Sequence, residues 1–236
     1  MVVSLAMGWR HLLFENWPVD PAVMAAHLPD SLTIDEFDGD AWLSVVPFTN
    51  VALRPVGLPR WMGIRLPELN VRTYVTHEGE PGVYFFSLDA EGVLSVLGAR
   101  LFHSLRYFLA RISLVETNGW IRFASKRYHP GARPAEYRGR YRPTGVPFAA
   151  TDDPFTKFLF ERYRLYTEGL DGSVRYTAVE HKPWHVTEAK AEIATTTVVT
   201  ASGIEPEDSP PTYFYSPGLD VIARPSTACQ STASQS

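Results

Sequence analysis

Hydrophobic positions alternate with polar ones over much of the chain, the period-two spacing of β-strands. The clearest run is Glu68 to Thr76, where Leu69, Val71, Thr73 and Val75 interleave with Glu68, Asn70, Arg72 and Tyr74. A turn at Gly79-Glu80-Pro81-Gly82 leads to a second strand, Val83 to Asp89. Tyr107 to Glu116 and Trp120 to Tyr128 flank Asn118-Gly119, a hairpin signal because both turn residues tolerate positive φ. Thr33 to Phe37 and Ala41 to Phe48 around Asp38-Gly39 predict another hairpin, and Thr212 to Tyr215 with Leu219 to Ala223 a last one. Tyr137 to Arg142, Arg164 to Thr167, Ser173 to His181 and Ala191 to Thr200 read as further strands. Val51 to Met62, with Pro55 and Pro59, reads as a loop.

Helical patterns are short. Asp20 is placed to cap a helix that starts at Pro21, shows Val23, Met24 and Leu28 on one face and stops at Pro29. Val93, Val96, Leu97 and Leu101 predict a helix over Val93 to Phe102, and Asp153-Pro154 opens another that runs to about Tyr163. Many short strands and two or three short helices predict a β-dominated (α+β) fold, a barrel, in one domain over residues 1–225. The Ser, Thr, Ala and Gln of residues 226–236 predict a disordered polar tail.

Composition narrows the function. The apolar fraction is 45%, enough for a core, and the formal net charge of −4 comes from intermixed acids and bases with no basic stripe for nucleic acid. Cys229 is the only cysteine, which excludes intrachain disulfides and cysteine-based metal or redox sites. No apolar run is long enough to span a membrane, and Met1 to Arg10 lacks the pattern of a secretory signal, so a cytoplasmic protein is expected. Only four of the 22 basic residues are lysines (Lys126, Lys157, Lys182 and Lys190), which leaves few amines for covalent chemistry.

Several polar groups are candidates for a site. Glu68, Asn70 and Arg72 form a carboxylate, amide and guanidinium row, a recognition surface if it faces a barrel interior and a solvated face if it does not. Arg138, Arg140 and Arg142 make a second row, suited to bidentate pairing with a carboxylate or phosphate, or to protecting a strand edge. Glu161 sits in a Phe160 to Tyr166 segment dense in charge and rings, where it would either orient an arginine in a cavity or tie a helix to a strand. His181 and His185 have an i, i+4 spacing, but Pro183 between them breaks the helix a metal site would need; packing around Trp184 is the simpler role. No Gly-rich phosphate loop and no G-x-S-x-G elbow is present.

Trp17-Pro18-Val19-Asp20, Trp42-Leu43-Ser44-Val45-Val46-Pro47-Phe48, Pro67-Glu68-Leu69-Asn70-Val71-Arg72-Thr73-Tyr74-Val75, Arg140-Tyr141-Arg142-Pro143-Thr144-Gly145 and Glu161-Arg162-Tyr163-Arg164-Leu165-Tyr166 are among motifs spread along nearly the whole chain to about residue 225. Together they resemble the YqjF-like (DUF2071) family. That family is similar to the acetoacetate decarboxylase superfamily, which implies a closed, cone-shaped antiparallel β-barrel with a deep cavity and a few short peripheral helices. In those decarboxylases a lysine beside a second cation forms a Schiff base with a β-keto acid.

The corresponding stretch here is Gly98 to Phe108: Arg100 matches the motif arginine, and the lysine pair falls on Tyr107 and Phe108. Neither side chain forms an imine, so the resemblance implies an acetoacetate decarboxylase-like scaffold without that activity. It leaves Tyr107 and Glu68 as candidate acid–base groups and Asn70, Arg72, Arg100, His103, Arg106, Glu161 and Tyr166 as candidate ligand-binding groups. A relocated lysine would be Lys182. The expected partner is a small carboxylate or oxo acid, bound or turned over without a cofactor, a metal, nucleic acid or a membrane; assembly into a homo-oligomer is left open.

Overall fold

Two long strands, each covered on both faces, hold the molecule together. β1 (Leu5–Val19) and β3 (Ala41–Pro55) are 15 residues each, and both are buried at nearly every position of their middle stretches. In the computed structural model, which describes residues 3–92, 107–169, 172–205 and 209–229, they pair antiparallel within a 13-stranded sheet. The remaining strands are β2 (Thr33–Ile34), β4 (Ile64–His77), β5 (Glu80–Ala90), β6 (Tyr107–Thr117), β7 (Trp120–Arg127) and β8 (Glu136–Ala149). They continue with β9 (Arg164–Glu168), β10 (Val174–His181), β11 (His185–Thr196), β12 (Thr212–Ala223) and β13 (Thr227–Ala228). The helices are α1 (Pro21–Ala25), α2 (Pro154–Phe160) and α3 (Val198–Ala201). The expected helix over Val93 to Phe102 lies outside the described residues.

The fold is therefore mostly β, as the alternation predicts. Asp20 caps α1 through the backbone N–H groups of Ala22 and Val23, and Asp153 caps α2 through that of Thr156. The β6–β7 turn places Asn118 at φ 52° and Gly119 at φ 73°, as a tight Asn-Gly hairpin requires. The β4–β5 turn falls on Glu78 and Gly79, earlier than expected.

Pairing runs β5–β6–β7–β8–β11–β12–β1–β3–β4, and β4 pairs again with β5. A second path leaves β5 through β9 and β10 to reach β12. The expectation of a purely antiparallel sheet is overturned: β5 pairs in parallel with both β6 and β9. Parallel neighbours need long crossovers between them rather than tight turns.

Other expectations change with it. Thr33–Ile34 pairs with β4 rather than with β3; the Asp38-Gly39 turn closes only a Phe37–Asp40 bridge. The expected loop at Val51 to Met62 is the end of β3 followed by a short 3-10 helix at Arg60–Met62. β11 begins at His185 and gives way to α3, where one strand was expected to run to Thr200. The expected last hairpin is one strand, β12, kinked at Gly218 (φ 110°), where a Cβ would lie 1.8 Å from the Trp9 carbonyl oxygen. The first residues of the expected disordered tail are ordered: β13 pairs with β10 through backbone bonds that need no apolar side chain.

The shared strands β1, β3 and β4 carry one core on each face. One contains Leu13, Leu43, Val45, Leu69 and Val71 against Ile112, Ile121 and Phe123 of β6 and β7, with α1 and α3 beneath it. The other contains Leu12, Phe14, Val46, Phe48 and Leu66, covered by Leu159 and Phe160 of α2 and by Trp184. The choice between a buried and a solvated face for Glu68, Asn70 and Arg72 is thus resolved by layering: both faces of β4 are covered.

Candidate functional site

Register brings a set of polar side chains together on the face of β4 that meets α2. Asn70 lies opposite Val46 of β3 and Leu88 of β5, and Leu88 lies opposite Tyr107 of β6. One diagonal step away is Glu68, opposite Phe48 and Ala90. Side chains two apart on a strand share a face, so Glu68, Asn70 and Arg72 extend over about 13 Å of β4.

Glu68 is 5% exposed. Tyr107 donates its hydroxyl to Glu68 Oε2 at 3.0 Å, and Asn50 donates Nδ2 to the same oxygen at 3.2 Å. Burial pushes the Glu68 carboxyl up to about 7, against the pull of hydrogen bonds from Tyr107, Asn50 and Asn70. Burial and the neighbouring carboxylate hold the Tyr107 phenol well above its ordinary range, so it remains a donor. Near neutral pH Glu68 therefore stands between its protonated and ionised forms, the property of a usable acid–base group.

Two polar atoms farther along this face are buried with no hydrogen-bond partner, Asn70 Oδ1 and, beyond it, Arg72 Nε. The Arg72 guanidinium lies 5.2 Å from the Phe14 ring centroid and 5.7 Å from that of Tyr74, with one long contact (3.5 Å) to the Leu159 carbonyl. It has no carboxylate partner among the described residues. Tyr74 is fixed by Ser44, whose hydroxyl is 2.7 Å from the Tyr74 hydroxyl and donates to Asn16 at 2.7 Å. A half-buried guanidinium against rings, with an enclosed free donor and no counter-charge, has the chemistry of an anion partner.

Not every sequence candidate reaches this face. Glu161 closes α2, accepting from the Trp184 backbone N–H at 2.9 Å and from the Tyr163 hydroxyl; it is a helix-to-strand junction. Tyr166 packs with Leu32, Val75 and Tyr84 in a separate cluster and donates to the Glu80 carbonyl at 2.9 Å. Arg100, His103 and Arg106 lie outside the described residues. Lys182, the candidate relocated lysine, is exposed, as are Lys126, Lys157 and Lys190, so no lysine is buried beside Glu68. His181 stacks on Tyr163, with ring centroids 4.5 Å apart, and meets Trp184 edge-on. Among the described residues no group of three His, Cys, Asp or Glu is placed to hold a metal ion.

The structure adds residues that alternation does not reveal. Asn50 enters because β3 continues past Phe48. On the opposite face Glu15 accepts from the Tyr137 hydroxyl at 3.1 Å, and burial pushes its carboxyl up to about 8. There too Arg127 donates to Asp89 at 2.8 Å and to Ser87 at 3.0 Å, both fully enclosed. Their signal is a charged residue inside an apolar run, as in Leu13-Phe14-Glu15-Asn16-Trp17.

Comparison with known proteins agrees with this architecture. The DUF2071 model, described as an uncharacterized conserved protein, matches residues 6–220. The uncharacterized protein YqjF of Bacillus subtilis (strain 168) is 42% identical over 218 residues, covering 92% of this chain and 89% of that one. Among solved structures, an acetoacetate decarboxylase-like enzyme from Sphingomonas wittichii RW1 aligns with a TM-score of 0.62 at 14% identity, over 98% of this chain and 94% of that one. The enduracididine biosynthesis enzyme MppR, complexed with pyruvate, aligns with a TM-score of 0.64 at 12% identity, over 96% and 90%. Acetoacetate decarboxylase from Legionella pneumophila gives 0.61 at 12% identity, over 95% and 87%. The fold is that of the acetoacetate decarboxylase-like proteins, and by sequence the chain belongs to the DUF2071 family.

Proposed function

We propose that this chain, a single domain, is a barrel-shaped binding protein for a small carboxylate or oxo acid, held on the Glu68 face without Schiff-base chemistry. The observation that carries the reading is the pair of unsatisfied buried atoms, Asn70 Oδ1 and Arg72 Nε, on the same strand face as the protonatable Glu68–Tyr107 pair. Buried polar atoms are almost always satisfied in native proteins, and a bound anion with an adjacent hydroxyl or carbonyl would satisfy these. Arg72 would anchor the carboxylate, and Glu68 with Tyr107 would address the oxo group. The circuit of strand pairings that returns through β4 and β5 supports a closed barrel around the ligand. A similarly folded enzyme has been solved with pyruvate, an oxo acid, which supports the ligand class. The lone cysteine supports a cytoplasmic setting.

Calorimetric titration with pyruvate and with acetoacetate tests the proposal. Saturable binding is expected, weakened about tenfold or more in Arg72→Ala by loss of a charge-assisted hydrogen bond. Absence of binding, or binding indifferent to Arg72, contradicts it. Borohydride should leave no adduct on any lysine; a stable adduct would overturn the exclusion of imine chemistry.

The Glu68 carboxyl near 7 favours a second reading, an enzyme of lyase or hydrolase type in which Glu68 and Tyr107 move protons on the bound oxo acid. Under that reading turnover has an inflection near pH 7 that Glu68→Gln abolishes. Ligand binding without turnover of any oxo acid supports the first reading.

A further inference from the structure

The outer face of the wall formed by β6, β7, β8 and β11 carries a charge pattern that the Glu68 site does not use. β6 and β7 expose Arg111, Arg122 and Lys126; β8 and β11 add Arg138, Arg140, Arg142 and Lys190. Among the described residues of these strands, three exposed carboxylates share that face (Glu136, Glu188 and Glu192), on a chain whose formal net charge is −4. The arginine row is not a strand edge, because β8 is paired on both sides, to β7 and β11.

Register sets cations directly opposite one another: Arg111 against Lys126, Arg122 against Arg140, Arg142 against Lys190. Facing side chains in adjacent strands have Cβ atoms about 5 Å apart, and like charges there oppose pairing. Lys126 is relieved by Glu136 at 2.6 Å. Arg140 is relieved by Glu192 at 2.6 Å and by the Trp120 ring, 4.5 Å from its guanidinium carbon. Arg122 has no such relief among the described residues, and Arg138 has the charge of nearby Glu136 and a long hydrogen bond, 3.4 Å, to Thr195 Oγ1.

These arginines stand around a groove of about 650 Å³ whose lining includes Arg122, Arg138 and Arg140, the Glu192 carboxylate that pairs with Arg140, and the apolar Val115 and Ile193. That volume lies within the usual range of small-molecule sites. Val115 is exposed, an apolar side chain left at the surface opposite Arg122.

We propose that this groove is a second binding site, for a soluble organic anion with an apolar body and a phosphate or carboxylate head. The head is gripped by Arg122 and Arg138, whose planar forks suit bidentate pairing; the body lies on Val115 and Ile193. A nucleic-acid strand fits less well. It needs aromatic faces for its bases, and the Trp120 ring is already covered by Arg140 and Arg142.

Calorimetric titration of the full chain with octyl phosphate tests the site. Saturable binding is expected, weakened about tenfold or more in Arg122→Ala and in Arg138→Ala and unchanged in Lys157→Ala, which removes a cation elsewhere. Both arginines are exposed, so the variants keep the fold, checked by an unchanged melting temperature. Absence of saturable binding overturns the proposal, and so does binding that both arginine variants retain. Inorganic phosphate binding as tightly as octyl phosphate would overturn the role of the apolar floor. An oligo-dT strand that binds through the same arginines when octyl phosphate does not would reassign the face to nucleic acid.

Discussion

Two buried glutamate–tyrosine pairs occupy opposite faces of the central strands, and their differences separate structure from function. Glu15–Tyr137 lies in the core beneath β6 and β7, while Glu68–Tyr107 lies beneath α2. Both carboxyls are enclosed and both are raised by burial. Glu15 has one side-chain hydrogen bond opposing that rise and reaches about 8; Glu68 has three and stops at about 7. Donors gathered around a carboxyl thus bring its proton equilibrium toward neutrality. The second difference is what lies beside each pair. Along the Glu68 face Asn70 Oδ1 and Arg72 Nε lack partners; on the Glu15 face Asp89 Oδ2 and Ser125 Oγ do, but the charges there, Arg127 and Asp89, are bonded to each other. The Glu68 face leaves a guanidinium without a carboxylate, and the Glu15 face does not.

The comparison is most strongly exposed by pH. Each carboxyl keeps in the fold a proton that the unfolded chain releases above about 4.5. Its contribution to stability is therefore complete below that pH and lost as pH rises through the folded value. For Glu15 the window runs from 4.5 to about 8, a loss of up to about 5 kcal/mol. Urea unfolding of Glu15→Gln across this window should lack that decline; an unchanged slope would contradict the assignment.

Arg127→Ala should rank next. It strands the Asp89 carboxylate, which is 1% exposed, and should cost about 4 kcal/mol at neutral pH in the same unfolding measurement. A cost under about 1 kcal/mol would mean that this face is as tolerant as the Glu68 face.

Glu68→Gln should flatten a narrower window, from 4.5 to about 7, by about 3 kcal/mol. The smallest stability effect is expected for Arg72→Ala. It removes ring contacts worth about 1 kcal/mol and leaves no carboxylate stranded, and chemical denaturation should detect little more. A loss near that of Arg127→Ala would place Arg72 among the structural charges.

Much of the Glu68 face was legible in the sequence because β4 alternates cleanly and Tyr107 follows from the decarboxylase-like motif. The Glu15 face was not legible. β1 is covered on both sides, so its apolar residues form a nearly continuous run with no alternation to read, and Glu15 stands inside it unannounced. Likewise Pro217-Gly218 carries a turn signal, yet the chain uses it for a kink where β12 passes the Trp9 carbonyl. The parallel pairings of β5 depend on crossovers, which no local pattern encodes. The basic outer wall was hidden for a related reason. Its charges are scattered along four strands and become a patch only through register.

The most direct test of the central claim is a calorimetric pyruvate titration of the parent chain, Glu68→Ala and Glu15→Gln at pH 6. Binding to the parent and to Glu15→Gln at equal affinity is expected, with a loss of about tenfold or more in Glu68→Ala. Equal binding by all three, or a loss confined to Glu15→Gln, would contradict it.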